Sequence, residues 1–262
     1  MKKHWSLRGQ LSVVLGGLAL AILGSVGGYL GSLATDELFA AQQAVVRSTA
    51  QSAAELLASQ LRDREREIEA FRAAGDHVSC CLGGPSDPES LLEVPVICDE
   101  AELPRLKEVG FRKAFIAIGA NKVRDRLGRK VKEAGFELVS VVHPRACFSP
   151  SARLGRGVVV MAGAVVNACA VIGDLAIINT GSTVDHDCVI GRAAHVAPQC
   201  ALAGCVSVGD GAMLGVGTKV IPGIRIGADA TVGAGSVVVR NINDAALAMG
   251  VPARVVDGNR TQ

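Results

Sequence analysis

From Val142 to Val238 a bulky apolar residue stands at every sixth position without a break. The series runs Val142, Phe148, Leu154, Val160, Val166, Ile172, Ile178, Val184, Ile190, Val196, Leu202, Val208, Leu214, Val220, Ile226, Val232, Val238. An α-helix repeats its buried face every 3.6 residues and a strand every 2, so neither explains this period. A period of six predicts a coiled β-solenoid. Two residues before most of these positions the side chain is small, as at Ala164, Ala170, Ala176, Ser182, Cys188, Ala194 and Cys200. Glycine often follows the bulky residue, as at Gly155, Gly173, Gly191, Gly209, Gly215, Gly227 and Gly233. The pattern reads as a triangular prism with three short strands and about 18 residues per coil. Bulky residues fill the interior, small ones pack beside them, and the glycines are expected to take positive φ at the corners. At the usual strand spacing the run makes about five coils, roughly 25 Å tall.

The pattern changes upstream. Residues 11–33 carry no charge over 23 positions, enough to cross a bilayer, and Lys2, Lys3, His4 and Arg8 precede them. They are expected to associate with a membrane as a helical anchor, with a signal peptide ending near Ala34 or a buried helix as the rival readings. Residues 36–74 show a loose helical stripe, and the run Arg62 to Glu67 alternates in charge as a solvated helical face would. Residues 75–90 are rich in Gly, Pro and Ser and mark a junction. In residues 91–142, Phe111 to Gly119 reads as a buried strand, Asn121 as the cap of a helix over about 122–134 stopped by Gly135, and Phe136 to Val142 as the next strand. Strand–helix–strand is the element of a parallel α/β sheet. The expected division is an anchor-like segment 1–35, a charged helical stalk and linker 36–90, an α/β unit 91–142, a solenoid 143–240 and a tail 241–262.

Aromatics are only 3% of the chain, which suits a narrow prism filled by Val, Ile, Leu and Ala. The net charge of +2 supplies no pull toward nucleic acid, and no nucleic-acid-binding motif appears. None of the eight cysteines forms a C-x-x-C pair. They are expected to be small buried thiols of a reducing compartment, and no metal site is expected.

Candidate chemistry sits in residues 177–223. His186 lies two residues after the inward Val184, so it should point outward, and Asp185 and Asp187 flank it. An outward imidazole between two carboxylates is a candidate general base, because its pKa lies near neutral pH. Either aspartate could orient it. His195 lies nine residues on, half a coil away. His143 at the start of the coil is read as structural, and the inward position of Cys188 argues against a nucleophile.

These residues also carry a resemblance. Ile116-Ala117-Ile118-Gly119, Val141-Val142-His143-Pro144, Ile178-Asn179-Thr180, Val184-Asp185-His186-Asp187-Cys188, His195-Val196 and Gly250-Val251-Pro252-Ala253-Arg254 resemble the hexapeptide-repeat sugar acetyltransferases. The proteins in question are of the sialic acid O-acetyltransferase and UDP-N-acetylbacillosamine N-acetyltransferase type, and the likeness covers about residues 114–254. It implies a left-handed parallel β-helix, preceded by a partial Rossmann-like α/β unit, in a homotrimer with clefts between neighbouring prisms. It implies acetyl-CoA as donor, no metal, and a sugar or sugar nucleotide as acceptor through an amine or hydroxyl, in cell-surface polysaccharide biosynthesis. It gives His186 the role of base with Asp187, or Asp185, as its acid. It places His195, Val216 and Ala234 at acetyl-CoA and Gly119 at the sugar nucleotide. The opening strand, glycine-rich turn and acidic pair of such proteins do not appear, so the first half of the α/β domain is expected to be missing or replaced. Since acetyl-CoA is cytosolic, the catalytic part is expected in the cytoplasm, with the N-terminal segment at the inner membrane or joined by fusion. Two other functions compete: a catalytically inactive, membrane-tethered trimeric scaffold, and a zinc hydratase, which needs three histidines at one cleft.

Overall fold

The computed structural model describes residues 64–83, 87–98 and 100–256. The apolar segment 11–33, the rest of 1–63 and the end of the tail lie outside the described residues. Among the described residues no helix is long and apolar enough to cross a membrane.

The period of six becomes a parallel β-helix of two-residue strands on three faces. The first face stacks Val141–Val142, Val159–Val160, Ile177–Ile178, His195–Val196, Met213–Leu214, Thr231–Val232 and Leu247–Met249, with Arg254–Val255 added antiparallel. The second stacks Cys147–Phe148, Val165–Val166, Thr183–Val184, Ala201–Leu202, Lys219–Val220 and Val237–Val238. The third stacks Arg153–Leu154, Val171–Ile172, Val189–Ile190, Ser207–Val208 and Arg225–Ile226. From Val141–Val142 to Val237–Val238 each strand pairs in parallel with the one 18 residues away, as Val165 does with Thr183 and Ile177 with His195, and Leu247 then pairs with Thr231, 16 residues back. This arrangement fits the left-handed β-helix of the resemblance. The coil already begins at Val141, which pairs with Val159, and it runs on through Leu247–Met249.

The two registers pack as the sequence suggests. Val160 to Val238 at the bulky positions and Ala164 to Ala230 at the small ones form one buried core. Val142, Phe148 and Leu154 are only partly buried, because the first coil has no rung beneath it. The corner glycines behave differently from the expectation. Gly155, Gly173 and Gly191 do not have positive φ; a Cβ on them would stand 2.5–2.8 Å from the backbone nitrogen of the next coil. They are close-approach positions. Positive φ falls later in the turn, at Gly157, Gly163, Gly181, Gly211, Gly217, Gly223 and Gly235, and also at Asp187 and Cys205.

The α/β unit is smaller and more divided than a single sheet. α1 (residues 64–73) is followed by β1 (Cys81–Gly83), β2 (Ser90–Leu91) and β3 (Val94–Cys98) in the order β1-β3-β2. α2 (Leu103–Glu108) leads to β4 (Lys113–Ala114), α3 (Asn121–Glu133) and β5 (Glu137–Leu138), a parallel strand–helix–strand unit. The strand expected over 111–119 is confined to β4. Between β1 and β4 lies an apolar cavity of about 670 Å³, also lined by Phe71, Leu106 and Val131.

Over residues 64–67 the charged run does not form a solvated face. Glu67 and Ile68 are buried, Arg64 pairs with Asp87, and Arg66 reaches across to Asn179 and Thr180 of the coil. α1 packs instead through Ala70 and Phe71 against Val141, Val159 and Ile177.

Asn121 is also not a cap. It is the first residue of α3, after Ala120, and its amide donates to the carbonyls of Gly211 and Ala212. This anchors the helix to the coil. Gly128 lets α3 come close, since a Cβ there would stand 2.4 Å from Leu175. Arg124, fully buried, completes the joint. Its guanidinium donates to the carbonyls of Ile118, Gly119, Leu175 and Ala193 and to Asn121 Oδ1. Burial lowers its pKa to about 10, and it keeps its charge at neutral pH. Arg192, salt-bridged to Asp125 at 2.6 Å, closes the rim.

Candidate active site

His186 lies in the turn between Thr183–Val184 on the second face and Val189–Ile190 on the third. Val184 points into the core, the chain turns the corner two residues on, and the imidazole is exposed. Its Nδ1 lies 2.8 Å from Asp187 Oδ2. With Nδ1 as the protonated donor, Nε2 is left as the basic nitrogen. Asp187 reaches back because its own backbone is in the left-handed region, φ +58. Asp185 serves the main chain: its Oδ1 accepts from the His186 backbone N–H at 2.8 Å and from Asn167 Nδ2 at 2.9 Å. The hydrogen bond to Asp187, then the charge of Asp185, hold the His186 pKa above its ordinary 6.5. The Asn167 hydrogen bond, then the His186 N–H, hold the Asp185 carboxyl below the usual range.

The imidazole lies over the next coil. A Cβ on Gly204 would stand 2.5 Å from both Cε1 and Nε2. Asn167, Gly204 and Cys205 went unrecognised in the linear reading. The signal was present, since each lies 18 residues from Asp185, His186 or Asp187 and so stacks directly on it.

His195 occupies a different place. It is the outward residue of its strand on the first face, and its Nε2 lies 3.1 Å from Asn179 Nδ2. Its Nδ1 is sealed from solvent without a hydrogen-bond partner. Burial first, then the charge of Arg124, push its pKa down to about 4; the Gly119 backbone opposes the shift, and the charge of Arg66 adds the smallest share to it. His195 is therefore neutral at physiological pH. It shares a small cavity of about 30 Å³ with Gly119, Arg66 and Asn179. Within one chain, His195 is thus brought beside Gly119 rather than beside His186. Val216 and Ala234 stack on a third location, the corner between the first and second faces, where the Val216 carbonyl accepts from Gly235 N–H at 2.7 Å. Val216 is exposed.

Cysteine burial is mixed. Cys188 and Cys200 are buried in the core, with thiol pKa values raised by burial, but Cys147, Cys169 and Cys205 are exposed. The expectation of buried thiols holds only for the inward column. His143 closes its own turn, its Nδ1 accepting from Arg145 N–H at 3.0 Å.

No protein-family model matches the chain. Among solved structures, PerB from Caulobacter crescentus in complex with CoA and GDP-perosamine is 53% identical, with a TM-score of 0.72 over 74% of this chain and 93% of that one. The acetyltransferase domain of PglB from Neisseria gonorrhoeae in complex with acetyl coenzyme A is 34% identical, with a TM-score of 0.69 over 72% of this chain and 92% of that one. The GDP-perosamine N-acetyltransferase of Escherichia coli O157:H7 is 30% identical over 120 residues, 45% of this chain and 54% of that protein. The chain spans 36–54% of the length of the first curated relatives it matches. A match over 74% of the chain includes residues ahead of Ala114. Repeat register, corner histidine and similarity over nearly the full length of two solved structures lead to one assignment: the chain belongs to the hexapeptide-repeat sugar acetyltransferases.

Proposed function

We propose that this protein transfers the acetyl group of acetyl-CoA to the amine of a nucleotide-linked sugar by direct attack. The observation that carries this reading is the exposed His186 with Nδ1 on Asp187 and Nε2 available. In the reaction, Nε2 removes a proton from the acceptor nitrogen as that nitrogen attacks the thioester carbonyl. Asp187 stabilises the imidazolium that forms, and the tetrahedral intermediate expels the CoA thiolate. Asp185, held by Asn167, positions the backbone of His186. No acyl-enzyme is required, in keeping with the inward Cys188. An amine is favoured over a hydroxyl because relatives are named as N-acetyltransferases of GDP-perosamine.

Val216 and Ala234 would contact acetyl-CoA mainly through backbone, and His195 would contact it as a neutral imidazole. Gly119, lacking a side chain beside the His195 cavity, would let the sugar nucleotide approach. His186 and the Val216–Ala234 column occupy different edges of one prism. Two edges meet in one cleft when neighbouring copies stand side by side, which supports a homotrimer with three shared clefts. The division into segments 1–35, 36–90, 91–142, 143–240 and 241–262, left-handed coiling, inner-membrane association through residues 11–33 and a cytoplasmic catalytic part in surface-polysaccharide synthesis complete the reading.

The test is a panel of GDP-, UDP- and dTDP-linked amino sugars incubated with acetyl-CoA and followed by mass. Acetylated product is expected with the wild-type chain and none with His186→Ala, whose trimer should persist by light scattering. Turnover retained by that variant would remove the base assignment.

A further inference from the structure

A second chemistry is available at the same corner. Cys205 lies one coil beyond Asp187, and its backbone N–H donates to the His186 carbonyl at 2.9 Å. Ligand atoms of His186, Asp187 and Cys205 all lie within 4.8 Å of one another, and all three side chains are exposed. Among the described residues this is the one group of three such ligands brought together. The coil register explains it. Residues 18 apart stack at about the interstrand distance of 4.8 Å, which sets the thiol beside the carboxylate. Gly204, without a side chain, lets the imidazole lie across the next coil toward the thiol. Cys205 has φ +60, and the residue stacked beyond it in the same column is Gly223 at φ +72. A left-handed backbone favours glycine, so the main chain gains nothing from a cysteine there.

We propose that His186, Asp187 and Cys205 bind a borderline or soft divalent cation, Zn²⁺ or Cd²⁺, and that its binding takes the imidazole out of proton transfer. One imidazole nitrogen, one carboxylate oxygen and one thiolate form the mixed donor set such ions take in tetrahedral geometry, with solvent water as the fourth ligand. Mg²⁺ and Ca²⁺ prefer oxygen donors and are not expected to compete. As the metal–sulfur bond forms, the Cys205 thiol releases one proton to buffer, and Asp187 exchanges its hydrogen bond to His186 for the cation. No electron transfer is involved. The cation acts as an inhibitor; the transfer reaction does not need it. The inhibitory consequence rests on His186 being the base, whereas the binding site does not.

The test is a Cd²⁺ titration of the full chain, reading the ultraviolet thiolate–cadmium absorption and acetyl transfer in parallel. One Cd²⁺ per chain is expected, with the band and the loss of turnover rising together. Cys205→Ser and Cys205→Gly, the latter restoring the residue this backbone favours, should remove the band. They should also raise the concentration for half-inhibition at least about tenfold. Their turnover in chelator should stay within about twofold of wild type, and Cys169→Ser should behave as wild type. A band or an inhibition constant unchanged in both Cys205 variants overturns the proposal. A Cys205-dependent band without inhibition overturns the claim that the cation captures the imidazole, and the His186→Ala assay decides the base assignment separately.

Discussion

The position of the His186 ring depends on a hydrogen atom at residue 204, and Gly204→Ala tests that directly. A Cβ there would lie 2.5 Å from Cε1 and Nε2, whereas ordinary contact begins at 3.4 Å, so the ring must move by about 0.9 Å. Gly204 does not have positive φ, so alanine fits its backbone, and the clashing atoms belong to an exposed side chain that can swing outward. The expected stability change is small, within about 0.5 kcal/mol, as for surface substitutions generally. The catalytic change should be large. A displacement of about 1 Å in a reacting group costs on the order of 100-fold, equivalent to about 2.7 kcal/mol in the barrier. The assay is steady-state acetyl transfer with a GDP-linked amino sugar, beside a thermal melt. The expected result is a kcat reduced about 100-fold, with KM for acetyl-CoA and melting temperature nearly unchanged. A kcat within threefold of wild type, while His186→Ala is inactive, would refute the claim that Gly204 places the base.

Other consequences follow from the same geometry. The bond to Asp187 is the main cause of the raised His186 pKa, and the imidazole must be unprotonated to act. The acid limb of kcat/KM should therefore lie above pH 6.5; Asp187→Asn should move it to lower pH and reduce the plateau rate, as read from a pH–rate profile. A limb that does not move would remove Asp187 from the pair. His195, with a pKa near 4, should show no change in its ring-proton NMR shift between pH 8 and pH 5.5, while the His186 transition is displaced upward from that of an ordinary imidazole. A His195 transition near pH 6.5 would mean that the cavity beside Gly119 is open to water. Arg124→Met strands several buried carbonyls and should destabilise the α/β unit by about 3 kcal/mol, seen as an earlier denaturant transition. An unchanged midpoint would mean that α3 is held to the coil by Asn121 and Gly128 alone.

The coil was legible in the linear chain because its hydrophobic positions repeat locally. Val160, Val166 and Ile172 need no knowledge of distant residues to be assigned inward, and the outward direction of His186 follows from Val184 two residues before it. The α/β unit was read less well. Apart from the five-residue β3, its strands are two or three residues long, too short for a period to declare itself, and Asn121 looks like a cap in any sequence. Arg62 to Glu67 has the pattern of a solvated face, yet Glu67 is buried. Nothing local shows that Arg66 will find Asn179 and Thr180 more than a hundred residues away.

The sequence by itself therefore determined the repeat, the inward and outward assignment of each residue in the coil, and the chemical type of the site. The partners of each side chain were decided by tertiary structure. Asp187 rather than Asp185 holds the imidazole, Gly204 gives it room, His195 lies with Gly119, and Arg124 joins the helix to the coil. The physical reason is that a periodic backbone sets the direction of each side chain from its neighbours in sequence. Apart from the bonds between His186 and its neighbours Asp185 and Asp187, the hydrogen bonds and close contacts of the site are made instead across coils, 18 residues apart, or between units whose docking no local pattern encodes.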